Sequence, residues 1–316
     1  MLPFLNRHGL AGLCLAGMVL AAPMAEAREL KVVTSFTILG DMVHQIGGSH
    51  VEVTNLVGPN GDPHVYEPTP QDAEKLASAD IVFVSGLGME GWMDRLIKAS
   101  GYKGKPVTLS TGIKTRQMEE EEEGGHDHGG HDHGHGEGGL VTDPHAWNNP
   151  LNGIVYAQNI AKALAAADPE DAADINARAK AYETSLRQLD AWAAKTIAAV
   201  PKDRRKVITS HDAFGYMGDR YGITFLAPEG FSTESEASAA DVADLVDLMK
   251  RNHIKVVFME NSNDPRLVQQ IAREAGGRLG GELYPEALTG PDGPAPTYEK
   301  LIRHNIETLE QGMLAH

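Results

Sequence analysis

The stretch ELKVVTSFTILGDMVHQIGGSHVEVTNLV, residues 29–57, decides the fold. It opens with a β-rich run over 29–36, passes into a helical run over 38–46, and closes with a second β-rich run over 51–57. Strand, helix, strand in so short a span is a βαβ unit, and βαβ units build mainly parallel sheets.

The alternation continues outward. A short helix is expected over 70–78 with Pro70 in its first turn, then a buried strand over 80–85, a helix over 91–100 and a strand over 106–110. A helix follows Pro150 over 151–167. From Asp168-Pro169-Glu170-Asp171, an acidic helix start, no breaker appears before Pro201. That is roughly 30 residues, or about 45 Å of helix. It reads as a rigid connection between two domains. Beyond it, strands are expected over 206–210, 223–227 and 255–259, with a further strand ending at Leu283-Tyr284. The helices here are one opened by a Thr233/Glu236 capping box and running to Asn252, one over 264–275 capped by Gly276-Gly277, and one over 297–312. The expected fold is therefore α/β. Two mainly parallel-sheet lobes, 28–167 and 201–316, are joined by one long helix, 168–200.

Gly86-Leu87-Gly88-Met89-Glu90-Gly91 matches a dinucleotide-binding pattern between a strand and a helix. The acid that should end the next strand is missing, because Val107-Thr108-Leu109-Ser110 runs into Thr111 and Gly112. A tight strand-to-helix turn is the expected role.

Residues 1–27 stand apart. Arg7 and His8 precede an apolar run over 10–22, and Ala25-Glu26-Ala27 supplies a small-x-small cleavage pattern. This is a secretory signal peptide with cleavage expected before Arg28, which puts the mature chain outside the cytoplasm. The only cysteine, Cys14, lies inside the apolar run behind Leu13, a poor fit to lipid attachment. The mature chain then has no disulfide and no thiolate metal site, so metal ligands must be His, Asp or Glu. The formal charge of −16 is unaltered by processing, because the segment carries one base and one acid. Such a balance disfavours nucleic acid and anionic membrane as partners and favours divalent cations.

The chemistry is concentrated in histidines. Five acids, Glu119 to Glu123, lead into a glycine-rich run carrying His126, His128, His131, His133 and His135. Imidazole is a common zinc ligand, but the glycines make this loop, 119–139, a flexible auxiliary metal-gathering segment of low affinity. The selective site must lie elsewhere. His64 follows the strand over 51–57 and His211 follows that over 206–210, while His145 sits behind Leu140-Val141. Ligands in open α/β sheets bind at the carboxyl ends of strands, so the three can converge in a cleft between the lobes. His64 and His145 share the sequence Asp-Pro-His, in which proline fixes the backbone ahead of the ligand. Glu260, Glu286 and Asp292 are the candidates for a fourth donor.

Taken together, Gly58-Pro59-x-x-Asp62-Pro63-His64-x-Tyr66-Glu67-Pro68-Thr69-Pro70, the acidic His-rich loop, Asp143-Pro144-His145-x-Trp147, Ser210-His211-Asp212-Ala213-Phe214-Gly215-Tyr216, and Leu283-Tyr284-Pro285-Glu286-Ala287-Leu288 with Pro296-Thr297-Tyr298 resemble one family. It is the periplasmic zinc-binding, substrate-binding components of ABC importers, of the ZnuA/AztC type. The likeness runs over essentially the whole mature chain. It implies two lobes joined by a long helix with the metal at their interface, and His64, His145 and His211 as zinc ligands. The family's fourth ligand is usually an aspartate, and Glu286 stands there instead. Glutamate ligation and a water closing a three-histidine shell are both open readings.

What the resemblance implies is a high-affinity receptor, not an enzyme, that captures Zn²⁺ and hands it to a membrane permease. A soluble zinc chaperone is a further candidate partner, and a monomer is expected. Three imidazoles and one carboxylate favour zinc over manganese, which prefers more oxygen. In similar manganese binders a carboxylate often stands at the position of His211. Binding should weaken below about pH 6 as the three histidines protonate. The competing readings are a manganese receptor of the same fold and a secreted zinc hydrolase. The hydrolase lacks a His-Glu-x-x-His helix, and its only candidate base is Glu67.

Overall fold

The computed structural model describes residues 29–119, 140–228, 230, 233 and 237–315. The proposed signal segment and the histidines at 126, 128, 131, 133 and 135 lie outside the described residues.

The first half comprises β1 (Leu30–Phe36), α1 (Thr37–Gly47), β2 (Val51–Val57), α2 (Pro70–Ala77), β3 (Ile81–Val84), α3 (Met93–Ser100) and β4 (Val107–Thr108). Its strands form one parallel sheet in the order β2-β1-β3-β4, with Leu30 opposite Val51 and Phe36 opposite Val57. All four residues of β3 are buried, as a central strand covered on both faces requires. Helix α2 begins where its sequence says: Pro70 is at the first position, and Thr69 and Asp72 cap each other's backbone.

Two short strands, β5 (Gln117–Glu119) and β6 (Leu140–Thr142), pair antiparallel. This hairpin was not foreseen from the sequence. Three residues on each side carry too little pattern, and charge dominates the composition around them. Helix α4 (Pro150–Ala167) follows, then α5 (Ala172–Ala198), whose 27 residues span about 40 Å.

The second half comprises β7 (Lys206–Ile208), α6 (Gly215–Tyr221), β8 (Thr224–Leu226), α7 (Ala239–Asn252), β9 (Val256–Glu260), α8 (Arg266–Ala275), β10 (Arg278–Leu283) and α9 (Tyr298–Leu314). Its sheet is parallel in the order β10-β9-β7-β8. With the strands counted from the first of each half, both sheets have the same order. The second strand lies on one side of the first and the third on the other. The order therefore reverses beside β1 in one lobe and beside β7 in the other, and crevices open at such points.

One expectation is corrected. Helix α7 does not start at Thr233 with Glu236. Its cap is Ser238, which exchanges side-chain and backbone hydrogen bonds with Asp241. Serine followed by an acid three residues on satisfies the rule equally well, and Ser238 adjoins the apolar periodicity of Val242, Leu245 and Met249. Thr233 is used otherwise. Its hydroxyl donates to Asp62 Oδ2 at 2.5 Å, reaching from the second half to the first.

One face of α5, with Ile175, Ala179, Tyr182, Leu186, Leu189, Ala193 and Ile197, is buried. The spacing of four and three residues makes one apolar stripe. Helix α5 packs on α1 and α4 from the first half and on α6 and α9 from the second. Accordingly one hydrophobic core runs from Val32 of β1 to Met313 of α9, while a smaller cluster around Ile208, Val257 and Ile271 lies between the second sheet and α7–α8.

Candidate metal centre

Each of the four anticipated residues sits just past the end of a strand, and the structure brings them together. Beyond β2, the Asp62 carboxylate accepts the backbone N–H of His64 at 2.8 Å, while Trp92 Nε1 donates to the carbonyl of Pro63. Beyond β6, the turn is repeated: Asp143 Oδ1 accepts the N–H of His145 at 2.9 Å. In both Asp-Pro-His motifs, then, the aspartate closes an Asx turn on the histidine two residues on. The Asp-x-His spacing of the motif encodes this turn as well as the proline does.

In the second lobe, Glu260 ends β9, the neighbour of β7. It accepts from the N–H groups of Ser210 and His211 and, at 2.5 Å, from His211 Nδ1. Glu260 therefore stands behind His211, on the Nδ1 side of its ring. Asp292 is exposed and takes no part among these groups. Glu286 reaches the centre three residues after β10. Its loop is anchored to the first lobe at Pro285, whose carbonyl accepts from Trp147 Nε1 at 2.8 Å and Asn148 Nδ2 at 3.1 Å. Glu67, the base considered for a hydrolase, is exposed.

The imidazole Nε2 atoms and one carboxylate oxygen face a common point. His64 Nε2 is 3.1 Å from His145 Nε2 and 3.3 Å from Glu286 Oε2. Glu286 Oε2 is 3.5 Å from His211 Nε2 and 3.8 Å from His145 Nε2. A tetrahedral shell with metal–ligand bonds of about 2.0–2.1 Å needs donor–donor separations of about 3.3 Å. The observed spread brackets that value. His145, His211 and Glu286 are wholly buried and His64 is 6 % exposed. Neither His211 Nε2 nor either oxygen of Glu286 has a partner in hydrogen-bond geometry. Burying a carboxylate unsatisfied is costly, and a cation at the common point removes that cost.

Behind the donors stand two carboxylates. Asp143 Oδ1 lies 3.0 Å from His145 Nδ1 and Glu260 occupies the same place at His211, so both rings present Nε2 inward. The electrostatics divide the histidines. Burial pulls His145 down to about 4, against the raising influence of Asp143. Burial alone would lower His211 too, yet the charges of Glu260 and Glu286 hold it well above its usual value. For Glu286, burial acts upward, but His211 and His64 keep it well below the usual carboxylate range.

The false dinucleotide motif has a physical explanation in the first lobe. Glu90 is half-buried at the point where the sheet order reverses, and its carboxylate accepts from the N–H groups of Ser85 and Gly86 and from Ser35 Oγ. A side-chain anion occupies the place a phosphate would take. Gly86 supplies the left-handed backbone, φ +84°, that the turn demands.

Comparison with known proteins accords with this centre. The family of periplasmic zinc-uptake complex component A matches residues 32–312. The manganese-binding lipoprotein MntA of Bacillus subtilis is 33 % identical over 291 residues, covering 90 % of each chain. The iron-binding protein YfeA of Yersinia pestis is 32 % identical, over 92 % of this chain and 88 % of its own. Among solved structures, the periplasmic zinc binding protein TroA of Treponema pallidum superposes with a TM-score of 0.80 at 27 % identity, over 90 % of this chain and 99 % of its own. Such proteins are metal-binding transport receptors that work with a membrane permease, outside the cytoplasm, and are not enzymes. Among the described residues no helix is long and apolar enough to cross a membrane. With a family match over nearly its full length and the two-lobed fold of its relatives, this chain belongs to the zinc-uptake complex component A family, the periplasmic metal-binding, substrate-binding components of ABC importers.

Proposed function

We propose that this protein captures Zn²⁺ through His64, His145, His211 and Glu286 and delivers it to the permease of an ABC importer. The observation that carries the reading is the donor set itself: three imidazole nitrogens and a single carboxylate oxygen at tetrahedral spacing. Manganese and iron(II) favour more oxygen and higher coordination, whereas zinc suits a nitrogen-rich tetrahedron. Relatives named for manganese and for iron keep a manganese receptor as the second reading. Copper ranks above zinc in intrinsic affinity, so geometry and availability must supply that selectivity.

The buried Glu286, unpartnered at both oxygens, supports glutamate rather than water as the fourth donor. In this scheme the mature protein begins at Arg28 and acts as a soluble monomer, loaded directly or by a zinc chaperone. The histidines of the loop 119–139 gather metal weakly. Helix α5 braces the lobes, so release proceeds through loop and second-lobe shifts rather than a wide hinge. Competitive titration of loop-deleted protein with Zn²⁺, Mn²⁺ and Cu²⁺ tests this. One tight site preferring Zn²⁺ over Mn²⁺ and lost in Glu286→Ala is expected. Preference for Mn²⁺, or an unaltered site in Glu286→Ala, overturns it.

A further inference from the structure

Arg116 immediately precedes β5 and Asp143 immediately follows β6, so they face each other across the neck of the hairpin. The backbone closes that neck, Asp143 N–H donating to the Arg116 carbonyl at 3.0 Å. The side chains repeat the closure, Arg116 Nη1 donating to Asp143 Oδ2 at 3.2 Å. The other oxygen, Oδ1, is the one that faces both the backbone and the ring of His145. Asp143 is wholly buried, and Arg116 is the only arginine or lysine paired with it among the described residues.

The same arginine is gripped from the second lobe by α6. The Tyr216 hydroxyl oxygen accepts the backbone N–H of Arg116 at 3.0 Å and its proton goes to the Asp143 carbonyl at 3.1 Å, so this bond holds the chain at Arg116 and not its guanidinium. Asp219 Oδ2 lies 3.4 Å from Arg116 Nε. Gly215 lets the group fit: a Cβ there would stand 2.4 Å from Arg116 Nη1 and 2.6 Å from Asp143 Oδ2. Helix α6 starts four residues after His211. One guanidinium thus touches the support of one candidate ligand and the helix that follows another.

We propose that Arg116 is a positioning residue for metal capture: by holding Asp143 Oδ2 it aims Oδ1 at His145. The proposal rests on His145 being a ligand. An exposed ion pair is worth little, but here the partner is buried. Without Arg116 the carboxylate loses its second anchor and is free to turn away from the ring.

The experiment compares full-length protein with Arg116→Gln, Arg116→Lys, Gly215→Ala and Asp219→Asn. Zn²⁺ affinity is read by chelator competition, and the His145 Nδ1–H resonance by NMR of ¹⁵N-histidine-labelled, zinc-loaded protein. Arg116→Gln and Gly215→Ala are expected to lose about tenfold in affinity, the low end for a partner behind a ligand. Both should also broaden the Nδ1–H signal. Arg116→Lys should recover most of the affinity, and Asp219→Asn should match the parent. Thermal melts identify any variant that fails to fold, and Gly215→Ala crowds the Arg116–Asp143 pair without altering a charge. His145→Ala separates the two ideas. If it binds Zn²⁺ as tightly as the parent, the metal-centre reading falls. If it loses Zn²⁺ while Arg116→Gln keeps both parental affinity and an unaltered resonance, the positioning role alone is overturned.

Discussion

Three histidines that look alike in sequence are not alike in place. His145 is buried beside one carboxylate and is held to about 4, so it is neutral and ready to ligate throughout the physiological range. Burial depresses His211 as well, but Glu260 and Glu286 outweigh that and raise it well above the ordinary value. The metal-free protein is therefore expected to hold a proton on His211 more tightly than an ordinary histidine does, and a metal must expel it. Apparent affinity should climb with pH by up to about tenfold per unit until the raised pKa of His211 is passed. Calorimetry in buffers of different ionisation enthalpy is expected to show about one proton released per Zn²⁺ at pH 7. Glu260→Gln should reduce that release and weaken binding about 10–100-fold, as loss of a ligand's outer partner does. Parental proton release in that variant would show that Glu260 does not hold the His211 proton. For the metal-free fold the sign runs the other way. A raised histidine contributes stability that is complete below its unfolded pKa and is lost as pH rises through the folded one.

At the scale of elements, capping and turn chemistry put each donor at a strand end. The Ser238–Asp241 box fixes where α7 begins and so where the preceding connection ends. Ser238→Ala should cost about 1 kcal/mol, the usual loss for an N-cap. Denaturant unfolding would register it, and hydrogen exchange should place the added fraying in the first turn of α7. Thr233→Val should leave that helix untouched, since its hydroxyl serves Asp62 instead. Equal fraying from both changes would return the cap to Thr233.

Across the whole molecule, the continuous core through α5 ties the lobes into one unit. Isolated lobes would melt separately, whereas a core shared by β1, α5 and α9 predicts a single calorimetric transition for the metal-free protein. Zn²⁺ at a hundred times its dissociation constant should stabilise it by about 2.7 kcal/mol, because both lobes contribute donors to the site. Two resolved transitions, with zinc shifting only one, would mean that the centre does not bridge the lobes.

The order of strands and helices was legible in the sequence because apolar period and turn residues are local properties. The meeting of His64, His145, His211 and Glu286 was legible because Asp-Pro-His and strand-end placement recur in the chain itself, and the family resemblance singled out Glu286. What the sequence left open was which carboxylate faces the three imidazoles and which stands behind one of them, since Glu260 and Glu286 have the same chemistry. Only the packing of β9 against β7 turned Glu260 toward His211 Nδ1. The hairpin neck, Arg116 and Gly215 escaped for the same reason. Their meaning lies in distances of a few ångströms between residues far apart in the chain, and no local pattern encodes them.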